Sequence, residues 1–251
     1  MLDPRLVVLD SEQTLAPPGQ HPFVILMGAH RDVEVKFVPG KWNYREALVA
    51  VPWVRRRGEA CGPDPLAYNE RLWLDQPLVV VGGWFWGFPK RWSRVSMRAA
   101  AGSGNRFDAY SVRSLLGGHR VIEAQFKDRG AVGAPESFAN FPAVRPIFEQ
   151  MFLQRFLLIG PAILSNLTFE LDRATVQAID AEIVFKGQDY SVPGLDETPL
   201  GAFRLSLPWT LSWPFSCGSV ASSSPLPRER ESTPRNSNQP DEIFEHERGT
   251  E

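Results

Sequence analysis

Cysteine and histidine are scarce in this chain of 251 residues, which holds two of the former and four of the latter. Cys61 and Cys217 lie far apart in dissimilar contexts, so no disulfide framework is expected and a reducing compartment fits. His21, His30, His119 and His246 show no HxH or HExxH spacing, and no CxxC occurs, so no metal site is expected. Long apolar runs are also lacking: FVILMGA and LVVVGGWFWGF are too short to span a bilayer. The start, MLDPRLVVLD, carries an acid at position 3 and no apolar stretch long enough for a secretory signal, which makes the cytoplasm the expected location. The net charge of -2 shows no basic excess, so neither nucleic acid nor an anionic membrane is an expected partner. A GxSxG elbow is missing, and GSGN at 102–105 has neither the strand-turn-helix setting nor the lysine of a phosphate loop, so no cofactor is expected.

What is present fits an ordinary globular chain, 43% apolar and 22% charged. From Ser216 to the end the residues are mostly Ser, Pro, Arg and Glu, which bury too little apolar surface to offset the cost of ordering. Residues 1–215 are therefore expected to form the folded domain and 216–251 a disordered tail. HPFVILMGAHR, EALVAVPWVR, LWLDQPLVVVGGWFW, HRVIEAQFKD and ATVQAIDAEIVF read as strands, being rich in β-branched and aromatic residues. In the fourth, Val121, Glu123 and Gln125 share one face, and Ile122, Ala124 and Phe126 the other. PAVRPIFEQMFLQRF is the best helix candidate, with Ile147, Met151 and Phe152 at helical spacing. Many strands and few helices predict a mainly β, antiparallel sheet or barrel without α/β crossovers.

Lysine is scarce as well, five residues against 22 arginines, yet one of the five sits in the most aromatic segment, GGWFWGFPKRWSRV (82–95). An amine is a nucleophile only when neutral, and at its ordinary pKa of about 10.4 almost none is neutral near pH 7. Burial disfavours the ammonium, and so does a neighbouring cation. Trp84, Phe85, Trp86, Phe88 and Trp92 supply low polarity around Lys90, and Arg91 supplies charge, although neighbours on a strand point to opposite faces. A lysine so tuned can attack a ketone to give a Schiff base. The alternative is structural: Lys90 snorkels from an aromatic core to the surface.

Gly87-Phe88-Pro89-Lys90-Arg91 resembles the G-[YF]-P-K-K signature of the acetoacetate decarboxylase superfamily, and Tyr44-Arg45-Glu46 resembles its Y-x-E motif. The resemblance spans roughly residues 22–212. Gly82-Gly83-Trp84 departs from it, standing where members often carry Gly-Arg-Glu; so does the apolar Val24-Ile25-Leu26, where a further acid would be sought. The N-terminal region reads as shortened relative to the superfamily. A second Y-x-E, Tyr68-Asn69-Glu70, abuts the lysine strand directly, so Glu46 is preferred and Glu70 is read as a solvated loop acid. The resemblance implies a closed antiparallel β-barrel or cone with a few peripheral helices, in a homo-oligomer. It implies Lys90 and Glu46 as catalytic residues, with Tyr44, Arg91, Trp84, Trp86 and Phe88 lining or supporting the pocket. The implied activity is Schiff-base decarboxylation of a β-keto acid, here one larger or more aromatic than acetoacetate. An aldolase-dehydratase on the same lysine and a silent ligand-binding barrel are the alternatives.

Overall fold

A computed structural model describes residues 5–9, 16–17, 19–35, 38–57, 61, 65–100, 106–139, 141–186 and 199–217. Its strands are β1 (Leu6–Val8), β2 (Val24–Val35), β3 (Val38–Arg56), β4 (Leu66–Leu74), β5 (Lys90–Ala99), β6 (Phe107–Ser114), β7 (Arg120–Asp128), β8 (Phe152–Arg155), β9 (Ala162–Ser165), β10 (Leu167–Phe169), β11 (Thr175–Phe185), β12 (Phe203–Ser206), β13 (Trp209–Leu211) and β14 (Phe215–Ser216). Helix α1 covers Pro77–Phe85 and α2 covers Phe141–Phe148.

Twelve strands form one sheet along the path β12-β11-β7-β6-β5-β4-β8-β9-β14, with β3 joined to β4 and carrying β1 and β2. The expected closed barrel is not formed. Closure would require β2 to bond to a strand of the opposite wing, but among the described residues its ladder runs only to β3. Register shifts between His30 and Val35, and a left-handed Asp32 (φ 52°), bend the far end of β2. The two wings meet through side chains instead. Phe23, Ile25 and Met27 pack in the same cluster as Phe126, Ile183 and Phe185, with the Phe23 and Phe185 rings 6.1 Å apart.

The strands predicted by alternation form, but LWLDQPLVVVGGWFW does not stay extended throughout. Its first part belongs to β4, and its second is α1. Gln76 caps that helix, its side chain accepting from the Leu78 amide, and Pro77 opens it. A short run that is apolar all round cannot be assigned by periodicity, because every face looks buried. β4, α1 and β5 make a parallel crossover, with Leu72 opposite Lys90, so the expectation of no such crossover is corrected too. The second helix is shorter than its sequence pattern: α2 stops at Phe148, and Phe152 begins β8.

Cys61 and Cys217 are joined in a disulfide across 156 residues of sequence, contrary to expectation. The pairing of β14 with β9, beside the cluster that holds Cys61, brings the two together. Ser216 and Cys217 are thus part of the folded body, while the rest of the expected tail, 218–251, lies outside the described residues. No helix among the described residues is long and apolar enough to cross a membrane.

Candidate active site

Lys90 is the first residue of β5, and the turn before it fixes its direction. Gly87 takes a left-handed conformation (φ 74°), and a Cβ there would lie 2.3 Å from the Arg155 carbonyl oxygen. Only glycine meets both demands. The chain then runs back along α1, and the Lys90 stem crosses the helix at Gly83, where a Cβ would stand 2.1 Å from Lys90 Cδ. The Trp84 indole donates to the Lys90 carbonyl at 3.0 Å. The lysine therefore leaves its strand over a bare patch of helix, with its backbone tied to the same helix.

The amine ends in a cavity of about 2350 Å³ whose wall includes Tyr44, Glu46, Leu72, Phe88 and Phe152. Lys90 Nζ lies 5.7 Å from the centre of the Phe88 ring and 6.0 Å from that of Tyr44. Burial holds the Lys90 amine below the ordinary lysine range, and the nearby Glu46 carboxylate opposes this in part. The same burial, helped by Glu46, pushes the Tyr44 hydroxyl well up, so Tyr44 remains a neutral phenol.

Glu46 reaches the cavity from β3. Burial by itself would raise its carboxyl, but the His30 ring and, when it is protonated, Lys90 outweigh that and hold it below the usual carboxylate value. His30 Nε2 is 3.0 Å from Glu46 Oε1. On the other side of the ring, the Trp209 indole donates to His30 Nδ1 at 3.1 Å. An indole N–H can only donate, so Nδ1 must accept and the ring proton sits on Nε2, directed at the carboxylate. The Tyr110 hydroxyl donates to the Glu46 backbone carbonyl at 2.6 Å and ties this strand to β6.

The positions foreseen from sequence separate into two groups. Lys90, Glu46, Tyr44, Trp86 and Phe88 line the one cavity. Trp86 also donates to the Ser212 carbonyl at 3.1 Å and stacks on Trp213. Arg91 and Trp84 do not line it: Arg91 is exposed, on the strand face opposite Lys90, and Trp84 lies on the outer side of α1. Glu70 lies within β4, near Arg71, rather than in a loop.

His30 and Trp209 were not foreseen. The signal for His30 was the hairpin itself. Antiparallel β2 and β3 pair His30 with Tyr44 and Gly28 with Glu46, which puts the imidazole on the Y-x-E face. Nothing local marks Trp209, which arrives from 179 residues away.

An open β-sheet wrapped about an apolar cavity, with a desolvated lysine and a histidine-supported carboxylate inside, defines a site suited to amine chemistry on a small organic molecule. Residues 17–158 match the family model "Acetoacetate decarboxylase (ADC)", more than half of the chain. The chain belongs to the acetoacetate decarboxylase family. Among solved structures, acetoacetate decarboxylase from Legionella pneumophila aligns with a TM-score of 0.50 at 14% identity, over 86% of this chain and 79% of that one, and shares the fold. The enduracididine biosynthesis enzyme MppR, solved in complex with pyruvate, aligns with a TM-score of 0.42 at 19% identity, over 61% of this chain. The chain spans 58% of the length of MppR. A search of curated proteins gives no match.

Proposed function

We propose that the protein is a Schiff-base lyase that decarboxylates a β-keto acid on Lys90. The observation that carries this reading is the burial of the Lys90 amine in a cavity it shares with Glu46. The lone pair of the neutral amine attacks the ketone carbon, and loss of water leaves an iminium whose positive nitrogen draws electrons. The bond to the carboxylate carbon breaks, carbon dioxide leaves, and the bonding pair settles as an enamine. The α-carbon then takes a proton and water releases the ketone. Glu46, with the His30 proton aimed at it, is the group placed to pass protons to and from the carbinolamine and the enamine. Tyr44, neutral throughout, packs beside the amine and can hydrogen-bond to the carbinolamine oxygen.

The size of the cavity and its walls of Trp86, Phe88 and Phe152 support a substrate larger and more aromatic than acetoacetate. The test is incubation with aryl-substituted β-keto acids, reading carbon dioxide release, together with borohydride reduction and peptide mass analysis. Release of carbon dioxide with mass added at the Lys90 peptide is expected. Consumption of an added aldehyde without carbon dioxide release would show the enamine acting in aldol chemistry, and an unmodified Lys90 would overturn both readings.

A further inference from the structure

Helix α1 lies at the surface without a polar side. Its sequence, PLVVVGGWF, offers one hydrogen-bonding side chain, the Trp84 indole, and that is bonded to the Lys90 carbonyl. Val80 and Gly83 are buried, while Leu78, Val81, Trp84 and Phe85 face outward and are exposed, Leu78 at 63%. A helix that meets water carries polar groups on its outer side, and one that is apolar all round is normally covered. The turn Phe156–Leu158 packs against α1 and extends the same face. Leu157 and Leu158 both take left-handed conformations (φ 48° and 70°), which branched side chains seldom adopt. Phe156, Leu157, Leu158 and Ile159 are all exposed, Ile159 at 84%. Trp92, two residues after Lys90 on the same face of β5, adds a further exposed ring.

We infer that the face built from α1, Trp92 and the Phe156–Ile159 turn docks a second copy of the chain in a two-fold dimer. The inference does not depend on the chemistry assigned to Lys90. Area is the first reason. At about 150–250 Å² for each whole side chain, the exposed parts of these nine residues amount to roughly 800 Å². A monomer's largest apolar patch is usually about 300–600 Å². Each partner in a standard protein–protein interface contributes about 800 Å². Charge is the second reason. A two-fold contact sets one surface against itself, so like charges on it would repel, and segments 77–86 and 156–161 hold none. Other occupants fit less well. Residues 218–251 hold only Val220, Leu226, Ile243 and Phe244 as large apolar residues, too few to cover the face. Helices that lie in a bilayer surface carry a charged face, and α1 has none. The contact buries the outer side of the helix whose other side receives the Lys90 stem at Gly83, and so adds a dry layer to that wall of the cavity.

Sedimentation velocity of the full chain from about 1 to about 100 μM covers the range in which a contact of this size should associate. The wild type should sediment at twice the chain mass. Ile159→Glu and Val81→Glu each put a charge into the apolar contact and should weaken association about a hundredfold or more, leaving single chains. Both side chains already meet solvent, so far-UV circular dichroism should be unchanged, and either variant suffices should the other fail to fold. Gln125→Glu, at an exposed position of β7, should leave the dimer intact. Hydrogen exchange read by mass analysis should show protection that grows with concentration in segments 77–92 and 155–160. Single wild-type chains throughout the range, a dimer that survives both substitutions, or protection confined to other segments would overturn the inference. Single chains that float with phosphatidylcholine vesicles would assign the face to a membrane and overturn it as well.

Discussion

The two sides of the cavity hold their charged groups in opposite ways. On the α1–β5 side, Lys90 is placed by backbone geometry: a left-handed glycine, a bare helical glycine and an indole bonded to its carbonyl. Its ammonium is disfavoured by burial. On the β2–β3 side, Glu46 is placed by partners, with His30 and Trp209 in series on its carboxylate and Tyr110 on its backbone, and its charged form is favoured. An amine whose charge is disfavoured by burial and a carboxylate whose charge is favoured by its partners thus stand in one cavity.

The sharpest way to break this contrast is Lys90→Met. All ketone labelling at the Lys90 peptide should vanish in a borohydride mass assay. Stability should rise, because a lysine whose folded pKa lies below its unfolded value binds fewer protons when folded and so costs stability below that value. The gain in Tm should grow as pH falls from about 10.4 and should be absent above it. Gly83→Ala comes next. Its methyl would occupy the space of Lys90 Cδ, and the displaced amine should trap a ketone roughly a hundredfold more slowly in single-turnover labelling.

Glu46→Gln tests the coupling between the two sides. Glu46 raises the Lys90 pKa against the effect of burial, so its removal should move the rising limb of Lys90 reactivity toward lower pH. An amine-reactive ester applied across a pH series, followed by peptide mass analysis, reads the shift. The smallest effect is expected of Trp209→Phe, which keeps the ring contact with His30 but removes the donor that fixes its tautomer. Turnover should fall roughly three- to tenfold while the amount of Lys90 adduct stays unchanged.

Much of this contrast was legible in the sequence, and the failures share a cause. β7 and β11 were visible because their alternation is local. Lys90 and Glu46 were visible because each sits in a short motif whose spacing survives in the chain. Long-range geometry was not visible. Whether β2 bonds to the opposite wing or only packs against it is decided between residues far apart in the chain, and the closed barrel was the wrong expectation. α1 was hidden because a Val-rich run with no polar face carries no period. The disulfide required β14 to return beside Cys61. His30 entered the site through cross-strand register and Trp209 through tertiary contact. Arg91, the nearest charge in sequence, fell outside the cavity for the simplest reason, the alternation of faces along β5.

Burial in the cavity holds the Lys90 amine below the range of an exposed lysine, and that shift can be read directly. The chain has only five lysines, so isotope labelling of lysine side chains and an NMR pH titration can follow each amine, with Lys90→Met assigning the one that disappears. The Lys90 signal should titrate at lower pH than the other four, and at lower pH still in Glu46→Gln. Co-titration of Lys90 with the other lysines near the ordinary value would contradict it.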